Sequence, residues 1–465
     1  MDHEPNVALE LTLYCLVVAV AIVGYRLAPS PLKHRNLGVF RPLRLLFTFW
    51  LGSLTVSYLG FFQLVKLIDV FSPIDFRLAL EIELVAVVGV LIGFNLSQWS
   101  LAVLRPWKSS QETQGPIAMD LPLLEILSSL MVFACAAAIF LLFKRTGIVP
   151  MLAEGSRDEL RFQMVQFPGS GLFTRFIYLS PLVISMKLTC FALSPKSRVA
   201  IPRWIDYIGL CALFVGLFLY GSKMIYVAPV ILFAMNYNVF VRPFKITLRW
   251  IAVGLVSIVL LTLFTNLRGT QNAIIFDPFS DLLVVWPEFR DMAETVNIAN
   301  RQHLYINSYW VLGAAAIPRE FYEMTGAVKP DAQIEKMAYF TKDLLGENFA
   351  GGSSRSGIFA EFFLNSRWLG VLIGSAIFGS IFAVLEGMLA ESRRFDFKVI
   401  IVNALAFRLS WCVLADLSTN ASVVYLDLYF LIFMYVLVRR RDRTPKAEAL
   451  ISAPKLASED GIDGN

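Results

Sequence analysis

Long apolar runs recur along almost the whole chain, and they restrict the possible fold more than any other feature of the sequence. Each run is roughly 20 residues long, the length of helix that crosses the hydrocarbon core of a bilayer. Apolar residues make up 57% of the chain and charged residues only 17%, whereas about a quarter of a soluble protein is charged. The sequence therefore predicts an all-α polytopic membrane protein.

The positions of these runs predict about 11 transmembrane helices. The runs lie near 8–26, 45–65, 79–100, 121–143, 171–193, 204–221, 224–241, 248–265, 368–390, 399–416 and 421–438. The short loops rich in Lys and Arg alternate with balanced ones, and basic loops are retained in the cytoplasm. The first loop is basic from Arg26 to Arg44 and contains no acid. We therefore expect the N-terminus outside and the C-terminus in the cytoplasm.

The same pattern predicts the domain organisation. Residues 1–440 are expected to form a single membrane domain that includes external loops 144–170 and 266–367, the second being long and partly helical. Residues 441–465 are mostly polar and are expected to form a disordered cytoplasmic tail. A missed or re-entrant segment would change the number of spans, and the candidate is the stretch from His303 to Pro318, which is too short to cross a bilayer.

The chain lacks the sequence motifs that several kinds of chemistry require. All five cysteines fall inside apolar runs and are interpreted as small hydrophobic residues. The sequence has no glycine-rich nucleotide loop, no paired cysteine motif and no helical histidine pair. We therefore expect no cofactor, no bound metal and no nucleic-acid partner, and nucleotide-driven transport by this chain alone is disfavoured.

The candidate site lies where the long polar segment ends and a new apolar run begins. A glycine- and serine-rich loop carries Arg355, Glu361 opens the apolar run six residues later, and Asn365 follows one helical turn on. The predicted topology places further basic residues on the same external face, and arginine forks suit phosphate oxygens. We therefore expect an anionic, membrane-anchored substrate to be bound by a set of basic residues with Asn365 beside them. The candidates are Arg157, Lys223, Arg268, Arg319 and Arg355.

Structural roles remain open for each of these residues. An arginine near a helix end can be an anchor whose charged head reaches the interface. Arg157 follows Ser156, which with Glu159 forms a capping box at a helix start. Glu361 can complement the positive end of a helix dipole without taking part in catalysis.

Three stretches carry a resemblance to a known family. The segment GGSSRSGIFAEFFLNSRWLGVLIGSAIFG, beginning at Gly351, resembles the region after the large periplasmic loop of O-antigen polymerases, the Wzy-type oligosaccharide repeat unit polymerases. AAAIPREFYEMTGAVKP, beginning at Ala314, looks like a loop segment of that family. GSKMIYVAPVIL, beginning at Gly221, is similar to its Gly-Ser-Arg helix start, with Lys223 in place of the arginine.

The resemblance implies a metal-independent membrane glycosyltransferase of the GT-C kind in the bacterial inner membrane. Its substrates would be undecaprenyl-diphosphate-linked oligosaccharides joined at the periplasmic face, where the N-terminus would also lie. Its partners would include membrane lipids, a chain-length regulator and a flippase. Glu361 would be the catalytic base, the basic residues would bind the diphosphate, and Gly351, Gly352 and Gly357 would act as loop hinges.

Three other functions compete with this interpretation. An O-antigen ligase would use the same donor and would depend on His303, the only histidine in the external loops between spans. A flippase or exporter of lipid-linked oligosaccharides would line a central cavity with charged residues from many spans. A non-catalytic scaffold is disfavoured because the basic loops cluster on one face.

Overall fold

A computed structural model gives the fold of most of the chain. It describes residues 7–27, 40–59, 76–104, 119–153, 157–193, 202–221, 224–241, 288–301, 308–317, 319–327, 357–392, 396–414 and 417–438. The elements in these ranges are α-helices. They are α1 Val7–Leu27, α2 Pro42–Leu59, α3 Arg77–Leu104, α4 Leu121–Thr146, α5 Arg157–Gln166, α6 Gly171–Leu193, α7 Arg203–Tyr220, α8 Met224–Phe240, α9 Glu288–Arg301, α10 Tyr309–Ala316, α11 Arg319–Met324, α12 Gly357–Glu391, α13 Phe397–Trp411 and α14 Leu417–Val438.

The prediction of a helical membrane protein is confirmed, but the count of about 11 spans is not. Within the described residues, six helices are long and apolar enough to cross a bilayer, namely α3, α4, α6, α7, α12 and α14. Two further apolar stretches, Ala8–Gly24 and Val227–Phe240, are shorter. The predicted span at 248–265 lies outside the described residues.

One group of helices packs around α3 and α12, which run parallel with their backbones almost in contact. A Cβ atom built on Gly93 of α3 would lie 1.8 Å from the carbonyl oxygen of Ala376. A Cβ on Gly379 of α12 would lie 2.1 Å from the carbonyl oxygen of Val90. Small residues allow this approach, which is how helices associate where lipid gives no hydrophobic driving force. Helices α1, α2 and α9 complete this group.

The second group consists of α4, α6, α7, α8, α13 and α14. Buried polar contacts join these helices. Lys187 Nζ lies 2.6 Å from Asp206 Oδ2, and both side chains are at most 1% exposed. Ser129 Oγ accepts a hydrogen bond from Lys187 and donates one to Asp206 Oδ1. The ion pair therefore ties α4, α6 and α7 together.

Helix α12 is broken near its start. Ser366 and Arg367 have non-helical backbone angles, with φ 52° and ψ −145° at Arg367. A short arm, residues 357–365, therefore precedes a long arm, residues 368–391. A Cβ on Gly370 would lie 2.3 Å from the carbonyl oxygen of Phe362, so the short arm folds back along the long arm. The apolar run was expected to open at Glu361, but the helix begins at Gly357, which places Glu361 in its second turn.

The short arm begins inside the bundle, next to the end of α13. The Ile358 N–H donates to the Cys412 carbonyl at 3.0 Å, and the Phe359 ring lies 4.7 Å from the ring of Trp50 near the middle of α2. Gly357 has φ 75°, and a Cβ there would lie 2.6 Å from the Val413 carbonyl oxygen. Glycine is therefore required at this position by the close approach of two chain segments. Gly351 and Gly352 lie outside the described residues.

Helix α10 also enters the bundle without crossing it. Its eight residues span only about 12 Å, as the shortness of the stretch from His303 to Pro318 predicted. Its last carbonyl, that of Ala316, accepts a hydrogen bond from the Tyr429 hydroxyl at 3.0 Å. Because Tyr429 lies in the middle part of α14, α10 ends beside the middle of that helix, where Tyr429 and Ile317 remain exposed.

Candidate functional site

Glu361 and Asn365 meet a third polar side chain, Ser308, that precedes α10. The Ser308 hydroxyl donates to Glu361 Oε1 at 2.8 Å. Asn365 Nδ2 donates to the Ser308 oxygen at 2.7 Å, and Asn365 Oδ1 accepts from the Ser308 N–H at 2.7 Å. Glu361 and Asn365 share one face because they are four residues apart on the short arm. Ser308 is thereby held in one orientation toward the Glu361 carboxylate.

The Glu361 side chain is buried in this structure, although it follows the long polar segment in the sequence. Its side chain is 4% exposed and Ser308 is 0% exposed. Two elements from the long polar segment cover it, because α9 packs its apolar face on the short arm and α10 brings Ser308 onto the carboxylate. The buried face of α9 consists of the apolar residues Met292, Ala293, Val296 and Ala299, together with Thr295.

The break in α12 is stabilised by contacts on both sides. The Arg367 guanidinium lies 4.9 Å from the centre of the Phe363 ring, and its Nη2 donates to the Ala299 carbonyl of α9 at 3.2 Å. The Tyr309 phenol lies near Ser366 and Glu361. Burial raises the pKa of Tyr309, the neighbouring Ser366 hydroxyl opposes the rise, and the negative charge of Glu361 adds to it. The phenol therefore stays protonated at neutral pH and remains a donor beside the site.

The structure describes none of the basic side chains that were predicted to bind phosphate. Helix α5 begins at Arg157, as the capping box predicted, and α11 begins at Arg319, but the side chains of both lie outside what the structure describes. Lys223, Arg268 and Arg355 lie outside the described residues. Their proposed contact with a diphosphate stays a prediction, and so does the role of His303, which is also outside.

A second polar cluster was missed as a site by sequence reasoning. Arg408 Nε of α13 lies 2.5 Å from Asp427 Oδ2 of α14, and Arg408 Nη2 donates to the Tyr178 carbonyl of α6 at 3.2 Å. The only sequence signal was that Arg408 and Asp427 are charged residues within apolar runs. The sequence does not show which residues they contact, because those contacts join separate helices. Charged residues inside the membrane are costly and are often functional.

A second arginine lies near this cluster. Arg161 of α5 donates through Nη1 to the Gly221 carbonyl at 3.4 Å, and its guanidinium carbon is 6.0 Å from the centre of the Tyr220 ring. The Tyr178 hydroxyl is within electrostatic range of both Arg161 and Arg408. The predicted external loop 144–170 also contacts the last turn of α7, because the Met151 N–H donates to the Leu219 carbonyl at 3.0 Å.

In two other ion pairs, both charged side chains are almost fully buried. Arg41 Nε lies 2.7 and 2.8 Å from the two carboxylate oxygens of Glu386, and the Leu43 N–H adds a donor at 3.2 Å. Their side chains are 6% and 0% exposed. This pair joins α2 to α12 in the way that Lys187 and Asp206 join α6 to α7.

The fold therefore defines a multi-pass helical membrane protein with a buried carboxylate in a broken helix. In the part of the chain that the structure describes, no three His, Cys, Asp or Glu side chains are grouped so as to hold a metal ion. Comparisons with protein-family models, curated proteins and solved structures give no significant match.

Proposed function

We propose that the chain is a membrane glycosyltransferase that polymerises undecaprenyl-diphosphate-linked oligosaccharide repeat units. The observation that carries the proposal is the Glu361 carboxylate, fixed by Ser308 within the same segment that resembles the O-antigen polymerases. A carboxylate that accepts an oriented hydrogen bond from a hydroxyl is suited to accept a proton from a substrate hydroxyl of similar geometry. The Ser308 hydroxyl would thus mark the position that an acceptor sugar hydroxyl takes during the reaction.

The proposed reaction balances with Glu361 as the base. A hydroxyl of one repeat unit forms a bond to the anomeric carbon of the growing chain and gives its proton to Glu361. The anomeric carbon–oxygen bond breaks, and the polyprenyl diphosphate leaves with the electron pair. A diphosphate leaves without a proton, so that cationic side chains can stabilise the developing charge in place of a general acid.

The proposal places the protein in a bacterial inner membrane with its site at the periplasmic face. A broken helix and a short re-entrant helix from the long polar segment support it, because they bring polar groups into the bundle from one end. A flippase would supply the lipid-linked repeat units, and a chain-length regulator would act on the product.

The test is to replace Glu361 by Gln in a host that lacks its own polymerase and to examine the lipopolysaccharide by gel electrophoresis. We expect the ladder of chain lengths to collapse to a single repeat unit, because an amide cannot accept the proton. The matched control is Glu81→Gln, which alters a partly exposed glutamate paired with Arg77 on α3 and should leave the ladder intact. A normal ladder from Glu361→Gln would remove the proposal.

The product pattern of the Glu361→Gln variant also separates the rival functions. A lost polymerase leaves lipid A-core that carries one repeat unit. A lost ligase leaves uncapped core and polymer still attached to the polyprenyl carrier. A lost flippase leaves no repeat units on the outer side of the membrane.

A further inference from the structure

Ser308 occupies the N-cap position of α10 but does not cap that helix. A serine at this position normally accepts a hydrogen bond from an N–H of the first helical turn. Here the side chain makes no such bond, and its hydroxyl donates to Glu361 Oε1 at 2.8 Å. The Ser308 N–H donates to Asn365 Oδ1 at 2.7 Å. Both polar groups of Ser308 therefore serve the short arm and not the helix that follows them.

The short arm holds its side of these contacts in place without help from Ser308. Asn365 Nδ2 donates to the Glu361 carbonyl at 2.7 Å as well as to the Ser308 hydroxyl, so that the arm itself orients the amide group. The arm thus presents two acceptors, Glu361 Oε1 and Asn365 Oδ1, with the Nδ2 donor beside them. This arrangement matches a hydroxyl that both donates and accepts, next to a second donor. A receptor that is already ordered binds its ligand at a lower entropic cost.

The part of Ser308 that fills this receptor has the covalent structure of an acylamino sugar. Its nitrogen and its hydroxyl oxygen are attached to neighbouring carbons, Cα and Cβ, and the nitrogen is acylated by the preceding residue. A 2-acetamido sugar has the same sequence of atoms, with the acylated nitrogen on C2 and a hydroxyl on C3. Both polar atoms of Ser308 reach the one amide group of Asn365. They therefore lie on the same side of the residue, as neighbouring equatorial groups of a sugar ring do.

Helix α10 is the element that can leave this site, because it buries little apolar surface. All residues of the short arm from 357 to 364 are buried, whereas Ala315 is the only buried side chain among those described in α10. At its far end, the Ala316 carbonyl accepts from the Tyr429 hydroxyl. Withdrawal of α10 therefore breaks hydrogen bonds but exposes few apolar groups. The Ser308 hydroxyl can then cap its own helix.

We propose that Ser308 blocks a sugar-binding subsite, and that the sugar is an acylamino sugar with a free hydroxyl adjacent to the acylated nitrogen. Its hydroxyl replaces the Ser308 hydroxyl on Glu361 and Asn365, and its N–H replaces the Ser308 N–H on Asn365 Oδ1. Helix α10 withdraws when the sugar enters. Asn365 is partly exposed and marks the edge at which the sugar arrives.

The role of this sugar as the acceptor rests on the proposed function, whereas the subsite itself does not. As the acceptor, the sugar would attack through the hydroxyl that is bound to Glu361, and the proton of that hydroxyl would pass to the carboxylate. The new glycosidic bond would then form at the carbon next to the acylamino group.

The experiment measures binding of methyl glycosides to the full chain in lipid nanodiscs by ligand-observed NMR. The acylamino probes are the methyl glycosides of N-acetylglucosamine and N-acetylgalactosamine. Two further probes are the 3-deoxy analogue of the first, which lacks the adjacent hydroxyl, and methyl glucoside, which has a hydroxyl in place of the acylamino group.

The variants remove either the blocking hydroxyl or the hydrogen bond at the far end of α10. Ser308→Ala does the first and Tyr429→Phe the second. The control is Ser380→Ala, which removes a hydroxyl that joins α12 to α3 by donating to the Gly93 carbonyl at 3.1 Å. Thermal unfolding of each variant checks that it is folded.

We expect Ser308→Ala to bind an acylamino glycoside about tenfold more tightly than the unaltered protein, because the ligand no longer competes with the serine hydroxyl. Tyr429→Phe should also bind it more tightly, and Ser380→Ala should bind it as the unaltered protein does. The 3-deoxy analogue and the glucoside should bind to Ser308→Ala about tenfold more weakly than the N-acetylglucosaminide, since each lacks one group of the matching pair.

Several results would overturn parts of the inference. Unchanged or weaker binding to Ser308→Ala, an equal gain in Ser380→Ala, or no binding of either acylamino glycoside would remove the blocked subsite. Unchanged binding to Tyr429→Phe would remove the withdrawal of α10. A glucoside that binds as tightly as the N-acetylglucosaminide would replace the acylamino sugar by a sugar with two adjacent hydroxyls.

The polymer assay on Glu361→Gln separates this inference from the proposed function. If Ser308→Ala binds the acylamino glycoside more tightly while Glu361→Gln still makes polymer, the subsite stands and the function fails. If Ser308→Ala binds no more tightly while Glu361→Gln abolishes polymer, the subsite fails and the function stands.

Discussion

At the scale of single residues, the organisation of the candidate site depends on how Ser308 uses its hydrogen-bonding groups. Its hydroxyl donates to Glu361 and accepts from Asn365, and its N–H donates to the Asn365 side chain. A serine hydroxyl could point in several directions, but the amide of Asn365 leaves only one in which every bond is made. Asn365 is thus the residue that orients the donor, and through it the carboxylate.

We expect Asn365→Ala to lower the free energy of unfolding by about 1–3 kcal/mol, because it leaves the buried Ser308 N–H without its acceptor. The control is Asn95→Ala on α3, where the amide also donates to the carbonyl four residues earlier, at 2.7 Å, but is exposed. That change should cost about 0.5 kcal/mol or less. Thermal or urea unfolding of the purified proteins compares the two. Equal effects would mean that the cross-segment bonds of Asn365 add nothing to stability.

At the scale of elements, the position of the broken helix is set by the packing of α12 on α3. The long arm is held against α3 by glycines that allow the two backbones to touch, and the short arm is folded onto the long arm at Gly370 and Gly374. The break at Ser366 and Arg367 is therefore fixed from both sides. The short arm cannot shift without breaking these contacts. The position of Glu361 along the axis of the bundle is therefore fixed.

Because α3 and α12 approach so closely, we expect alanine substitutions at two glycines to have very different effects on stability. Gly93→Ala would place a Cβ 1.8 Å from a backbone oxygen, so the helices must separate, and we expect a loss of about 3 kcal/mol or more in stability. Gly387→Ala on α12 would place its Cβ 3.6 Å from a Leu101 side chain, which is ordinary contact. We expect that variant to be neutral or slightly more stable. Thermal unfolding in detergent distinguishes them, and similar melting temperatures would contradict the packing.

At the scale of the whole molecule, the helices form two groups that meet at α13. The carboxylate of the first group and the Arg408 cluster of the second lie on either side of that junction. Helix α10 also joins the two groups. It follows Ser308, which lies beside the short arm, and it ends against α14.

The fold places residue 152, after α4, and residue 398, at the start of α13, at opposite ends of the bundle. With the N-terminus outside, as the basic loops predict, a membrane-impermeant maleimide should label Leu152→Cys in intact cells. Lys398→Cys should be labelled only after the cells are opened. Both positions are exposed, and the native cysteines are first replaced by alanine. The reverse pattern would overturn the orientation, and labelling of both from one side would overturn the helix arrangement.

The sequence by itself determined the class of protein and the approximate positions of most helices, because an apolar run of sufficient length is a local property. The sequence also placed Glu361 and Asn365 on one face, because residues four positions apart lie on the same side of any α-helix. The polar residues Asn365, Ser366 and Arg367 interrupt the apolar run just before the predicted span at 368–390, but this local pattern does not specify that the chain folds back there, which depends on the packing of the two arms.

Only the tertiary structure decided which distant residues complete the clusters. Ser308 reaches Glu361 across 53 positions and Arg408 reaches Tyr178 across 230, and no local pattern specifies such pairs. Burial of Glu361 was likewise decided by α9 and α10, which come from a segment that its polar composition had placed outside the bundle. Helix periodicity fixes which side chains share a face, whereas the packing of helices against one another fixes what each face meets.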